Sequence, residues 1–286
     1  MNPVLAASGA ALCWGFGVVC DKRAMRFLGS QQVLAWIAIC GLAQVLPLAA
    51  VTDAPAQVSG TALAWAGASV VSVIGGNILT YAAIQRGAVS LIGPVISLEG
   101  AVAALYAVVL GERIPGLMTA GLVLVVVGML AATIDTRTRE RAGEHGQSIS
   151  SLVLALAGAA LWGAFLLTSI KATRELPVTW MQVAYRLGPV CLVAIPLALR
   201  GRLPRPGAAL PLVLLSAVLQ FTGFLLFLSA GDRSGVALAA VVASQFGVVA
   251  MLVGLVAFGE RLGRLQLGGL AVHAAGIALV ASFQGT

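Results

Sequence analysis

Residues 87–113 and 235–261 of this chain are two versions of one segment, and that duplication limits the possible folds more than any other feature. The first reads GAVSLIGPVISLEGAVAALYAVVLGER, while the second is apolar throughout and closes on the same Gly-Glu-Arg stop. Gly111 and Gly259, Glu112 and Glu260, and Arg113 and Arg261 stand at one offset, 148 residues. Gly87 and Gly235, Trp14-Gly15 and Trp162-Gly163, Gly121-Leu122 and Gly269-Leu270, and Gly128 and Gly276 share it. A fixed period running through a chain means one structural unit used twice.

The solvent for that unit follows from composition. Apolar residues make up 60% of the 286 and charged residues 9%, and mean hydropathy is +1.02. Soluble domains carry about 25% charge, so this chain cannot cover a globule with polar surface and must face lipid. Ten apolar runs are long enough to cross a bilayer, which takes roughly 20 residues each. They are 3–20, 31–51, 61–85, 89–110, 115–134, 150–170, 178–199, 208–230, 235–258 and 265–283. None alternates with period two as barrel strands do, so all are read as α-helices. The predicted fold is therefore an all-α integral membrane protein. A first five-helix repeat occupies 1–134, a charged connecting loop 135–149 (DTRTRERAGEHGQ at its heart), and a second repeat 150–286.

An odd number of spans per half makes the second half enter the membrane from the opposite side. The ten transmembrane helices then form two inverted five-helix repeats around a central cavity, an arrangement typical of secondary transporters. Twelve of the seventeen Lys and Arg residues fall in the loops after spans one, three, five, seven and nine, and four in the others. The positive-inside rule puts the first set in the cytoplasm, with both termini outside the cell's inner membrane. Met1-Asn2-Pro3 offers no basic leader of a cleavable signal.

Several functions are set aside on the same grounds. The net charge of +7 is spread over short loops with no basic face or aromatic ladder, so no nucleic-acid partner is expected. Cys13, Cys20, Cys40 and Cys191 all lie in apolar spans without ligand spacing. They read as small apolar residues, and neither metal nor cofactor is expected. No nucleophile with a base is legible, so an enzyme is not expected either. A receptor has no need of two opposed halves.

Trp14-Gly15 and Trp162-Gly163 in the first span of each half, followed by Lys22 or Lys171, resemble a signature of the EamA-type transporters of the drug/metabolite transporter superfamily. So do the Gly-Glu-Arg stops after the fourth spans and the glycine-rich fifth spans. In size and character the chain is similar to the bacterial aromatic amino-acid exporters. The resemblance implies ten helices with a cavity lined mainly by spans one, three, four, six, eight and nine. It departs from many relatives in carrying Glu99, and the ninth span ends without the Lys expected of a sugar-phosphate antiporter.

Glu99 is the sharpest single residue. A mid-bilayer acid costs about 2.5–3.5 kcal/mol on insertion scales and must face a cavity or a partner. It either binds a substrate ammonium or a proton, or is tied to a neighbouring helix. Arg186, inside span seven, either grips a substrate carboxylate or serves as a structural partner, Glu99 being one candidate. Asn77, Tyr81 and Gln85 recur every four residues on one face of span three, as cavity wall or as helix–helix glue. Trp14 and Trp162 hold matching places in the two halves and could clamp an apolar side chain or simply pack. Phe224 and Gln245 are further cavity candidates, whereas His273 reads as a packed, neutral histidine. The expected partners are a small-molecule substrate, the bilayer and, as candidate coupling ion, protons; a monomer suffices. The expected activity is amino-acid export, including aromatic amino acids, by alternating access. The alternative is a proton-coupled extruder of cationic drugs or amines that uses Glu99 for both.

Overall fold

Long apolar runs with few helix breakers leave the backbone no way to satisfy its amides in lipid except by winding into helices. The computed structural model describes residues 2–52, 58–86, 95–113, 116–133, 149–249, 252–253 and 263–282, and all regular elements among them are helical. The connecting loop and Glu260 lie outside the described residues. The first half holds α1 (Pro3–Ala24), α2 (Ser30–Val51), α3 (Gly60–Arg86), α4 (Glu99–Val109) and α5 (Gly116–Thr133). The second holds α6 (Ile149–Ala172), α7 (Val178–Leu199), α8 (Leu210–Ser234), α9 (Val236–Ala243) and α10 (Arg264–Ser282). Helices α1, α2, α3, α6, α7 and α8 are long and apolar enough to cross a membrane, while the other four are shorter within the described residues.

The outer surface bears this out. Val51, at 85% exposure, Leu199, at 83%, and Val109, at 75%, head a long series of large apolar side chains turned outward. A water-soluble protein rarely shows so much contiguous apolar surface, so the chain is a multi-pass membrane protein.

Three helical stretches depart from straight α geometry. Val190–Ala194 of α7 forms a π-helical turn directly after Pro189, where the missing proline N–H disturbs the hydrogen-bond ladder. The fourth span of each half is interrupted as well. Ser97-Leu98 precedes α4, with Leu98 N–H bonding the Val95 carbonyl, and Ser244-Gln245 ends α9, with Gln245 N–H bonding the Val242 carbonyl. The two breaks match within one residue at the 148-residue offset.

The packing of helices repeats across the halves. Helix α1 lies on α8, and its counterpart α6 lies on α3. Helix α4 touches α6 as α9 touches α1, and α2 touches α8 as α7 touches α3. The pairs α2–α7, α4–α9 and α5–α10 join each span to its own counterpart. Exchanging the halves therefore maps these pairings onto themselves, the mark of a two-fold relation.

Glycine makes the closest crossings. A Cβ on Gly128 of α5 would lie 2.3 Å from His273 N of α10, and one on Gly276 of α10 would lie 2.7 Å from Val125 N of α5. These two contacts are images of each other at the repeat offset. Gly223 takes the edge of Trp14, and Gly76 takes the edge of Trp162, a reciprocal pair one residue off the repeat offset.

The first Gly-Glu-Arg stop also joins the halves. The Glu112 carboxylate accepts from Val236 N–H at 3.2 Å and from Ala237 N–H at 3.1 Å. These are free amides of the first turn of α9, where an acid is favoured. Gly235, at φ +87°, leaves room for it, because a Cβ there would lie 2.5 Å from Glu112 Oε1.

Candidate functional site

Three buried polar residues, Gln182, Arg186 and Ser216, lie where α1, α7 and α8 meet. The sequence reading ended the first span at Cys20, but α1 continues to Ala24 and carries Asp21 into the protein. The Asp21 carboxylate accepts from Ser216 Oγ and, at 3.3 Å, from Gln220 Nε2, both on α8. Gln220 Oε1 in turn accepts from Arg186 Nη1 at 3.1 Å. Gln220 thus bridges an acid on α1 to a base on α7, and Asp21 attracts Arg186 electrostatically.

Arg186 is 3% exposed and its carbon Cζ lies 4.6 Å from the centre of the Tyr185 ring. Gly41 of α2 clears space for it, since a Cβ there would lie 2.6 Å from Arg186 Nε. Among the described residues, its Nε and Nη2, and the acceptor Oε1 of Gln182 one turn earlier, are buried without a hydrogen-bond partner. Leaving a buried donor unpaired costs about 1–3 kcal/mol, more when charged. The alternative of a direct Arg186–Glu99 tie is corrected: the side chain hydrogen-bonded to Arg186 is Gln220.

Glu99 is 4% exposed and sits where Gly163 of α6 crosses α4, a Cβ on Gly163 falling 2.9 Å from the Glu99 carbonyl oxygen. No hydrogen-bond donor among the described residues reaches its carboxylate. It belongs to the same electrostatic neighbourhood, because Arg186, Asp21 and Glu99 all act on Tyr185.

Aromatic rings fill the space between. Tyr185 stacks on Phe224 at 5.2 Å, and Phe224 on Phe165 at 5.5 Å. Phe165 meets Trp162 edge-on at 5.6 Å. In the other direction Phe224 meets Phe227 at 6.3 Å, and Phe227 meets Trp14 at 5.6 Å. Trp14 and Trp162 are thus joined through one ladder of rings, which runs on from Trp14 to Phe246 at 6.4 Å, and do not face each other directly. Phe224 stands at its centre, 1% exposed. The distances fall in the range where aromatic pairs attract beyond simple burial.

Asn77 donates to the Val73 carbonyl of its own helix at 2.8 Å, which favours a packing role. The side chain of Tyr81, like that of Gln85, lies outside the described residues. Gln245, 8% exposed, sits at the interruption after α9 and lines a small cavity with Ser97 and His273. Asp21, Ser216, Phe165 and Phe227 were missed by the sequence reading.

A fixed cation with donors unpaired among the described residues, a buried acid, a half-buried one and a wall of rings can hold a small polar molecule. A membrane protein of two like halves, with interrupted spans and buried charge where they meet, has the form of a small-molecule carrier.

The comparisons agree. The model of the EamA-like transporter family matches residues 1–134 and 149–282. A solved structure described as "Crystal structure of protein" superposes with a TM-score of 0.78 at 18% identity, covering 99% of this chain and 97% of the other. At that identity it shows the fold alone. No curated protein matches. The chain belongs to the EamA-like transporter family: it is a membrane transporter of small molecules built from two repeats, and not an enzyme.

Proposed function

We propose that this protein is a secondary-active transporter that exports amino acids, aromatic ones included, by alternating access. The observation that carries the reading is the Arg186 fork, with Nε and Nη2 unpartnered among the described residues in a buried site beside the Tyr185–Phe224–Phe165 stack. A carboxylate accepts two donors from a guanidinium in parallel, and stacked rings suit an aromatic side chain. Asp21 or Glu99 supplies the acid for the ammonium. The ring ladder is closed on itself in this conformation, so substrate takes the place of ring–ring contacts as the halves rock.

Ten spans arranged as inverted repeats 1–134 and 150–286, joined by 135–149, fit this mechanism. The exchange of helix pairings between halves supports the two-fold relation, and interrupted spans at the repeat interface are where such carriers bind their cargo. The protein then lies in the bacterial inner membrane with both termini outside, working as a monomer with protons as coupling ion.

A second reading is supported by Glu99. A buried carboxylate without a donor among the described residues suits a proton-coupled extruder of cations. Purified protein in liposomes decides between the two. Uptake of labelled phenylalanine that depends on Arg186 supports the first reading. Uptake of a carboxylate-free amine, with a pH dependence lost in Glu99→Gln, supports the second. Liposomes that move neither remove both.

A further inference from the structure

The interruptions of the two fourth spans frame a cavity that lies outside the Arg186 cluster. Its lining includes Ser97, Val125, Ser244, Gln245 and His273, and its volume is about 10 Å³. Two pairs of these residues are repeat equivalents: Ser97 with Gln245, and Val125 with His273. The cavity therefore straddles the relation between the halves, and the second half alone has placed an amide and an imidazole in it.

Both of these groups are held so that they present acceptors. Gln245 Nε2 donates to the Val241 carbonyl at 2.7 Å, which fixes the amide and leaves Oε1 as its other end. His273 Nδ1 lies 2.9 Å from the Val125 carbonyl. A carbonyl only accepts, so Nδ1 carries the hydrogen and Nε2 of the neutral ring is a lone pair. Gln245 Oε1 and His273 Nε2 are both buried, and neither has a partner among the described residues. Ser244 Oγ donates to the Val241 carbonyl at 2.9 Å and keeps its lone pairs for a further donor.

We infer that this cavity is a binding site for one water molecule, which donates one hydrogen to Gln245 Oε1 and the other to His273 Nε2. A volume of roughly 10–15 Å³ on this measure admits a single water, and two acceptors that lack donors are what a water with two hydrogens satisfies. A sodium ion is of similar size, but no carboxylate among the described residues lines the cavity to offset its charge, and imidazole nitrogen is a poor ligand for it. The water joins α9 to α10 beside the close crossing of α5 and α10, so it belongs to the seam between the halves.

A structure of the full chain in a lipid nanodisc, at a resolution that shows ordered waters, should contain one density within hydrogen-bonding distance of both atoms. An empty cavity overturns the inference. Melting curves give a second test. Gln245→Met and His273→Phe should each lower the midpoint by a few degrees, since each leaves the other acceptor buried and the water half-held. The double variant should lose clearly less than the two losses together. Strict additivity overturns the inference, as does a midpoint that rises with sodium chloride but not with choline chloride, which would assign the cavity to sodium.

Discussion

Gly128→Ala and Gly67→Ala are the same chemical change in two helices, and the structure gives them opposite signs. A Cβ on Gly128 would lie 2.3 Å from His273 N, 2.6 Å from His273 Cα and 2.7 Å from the Gly269 carbonyl oxygen, whereas ordinary contact begins at 3.4 Å. Backbone cannot rotate away, so α5 and α10 must separate by about 1.1 Å locally. A gap of that size forfeits a quarter to a half of each atom pair's attraction, itself ~0.1–0.2 kcal/mol. Over some tens of pairs along the seam the loss is about 1–2 kcal/mol. Stretching the His273–Val125 hydrogen bond adds about 1 kcal/mol. Alanine's better helix propensity returns up to ~1 kcal/mol, leaving a net loss of about 2 kcal/mol. At Gly67 of α3 nothing lies within 4 Å of the added carbon, so only the propensity gain of about 0.5–1 kcal/mol remains. Thermal unfolding of both variants in one detergent measures the contrast. A Gly128→Ala protein as stable as the parent, or a pair shifting together, would refute the close seam between α5 and α10.

Four further outcomes follow from the same geometry. Arg186→Lys keeps the charge but loses the planar fork, and liposome uptake of labelled phenylalanine should fall at least tenfold by a rise in KM. Asp21→Asn removes the charge facing Arg186 while keeping its shape, and uptake should drop with little change in the melting midpoint. Phe224→Ala empties the centre of the ring ladder and should cost about 3–5 kcal/mol in denaturant unfolding. Glu112→Ala strips two hydrogen bonds from the start of α9 and should cost about 0.5–2 kcal/mol, with Glu112→Asp recovering part of it.

The sequence showed the large plan because repetition needs no third dimension. The 148-residue offset announced two units, and Gly121, Gly128, Gly269 and Gly276 marked the seam where they meet closely. What stayed hidden was polarity at the edge of a span. Asp21 sits in Cys20-Asp21-Lys22-Arg23, which reads as the charged end of a helix. Only Ser216 and Gln220, 195 and 199 residues away, turn it inward. The Arg186 partner was hidden for the same reason, because Gln220 is one amide among many. Phe165 and Phe227 gave no contrast within apolar runs, so the ladder they complete was invisible. Trp14 and Trp162 stood out, and each fits a glycine of the opposite half.

The Glu112 contact bears on how the chain comes to be assembled. The acid that closes the first Gly-Glu-Arg stop is made well before the amides it covers at Val236 and Ala237. Until the ribosome has delivered that late segment, Glu112 has no amides to cover. A carboxy-terminal fragment made alone would begin α9 with those amides bare. Neither piece is finished without the other, because the contact joins a residue from the early translation product to a segment from the late one.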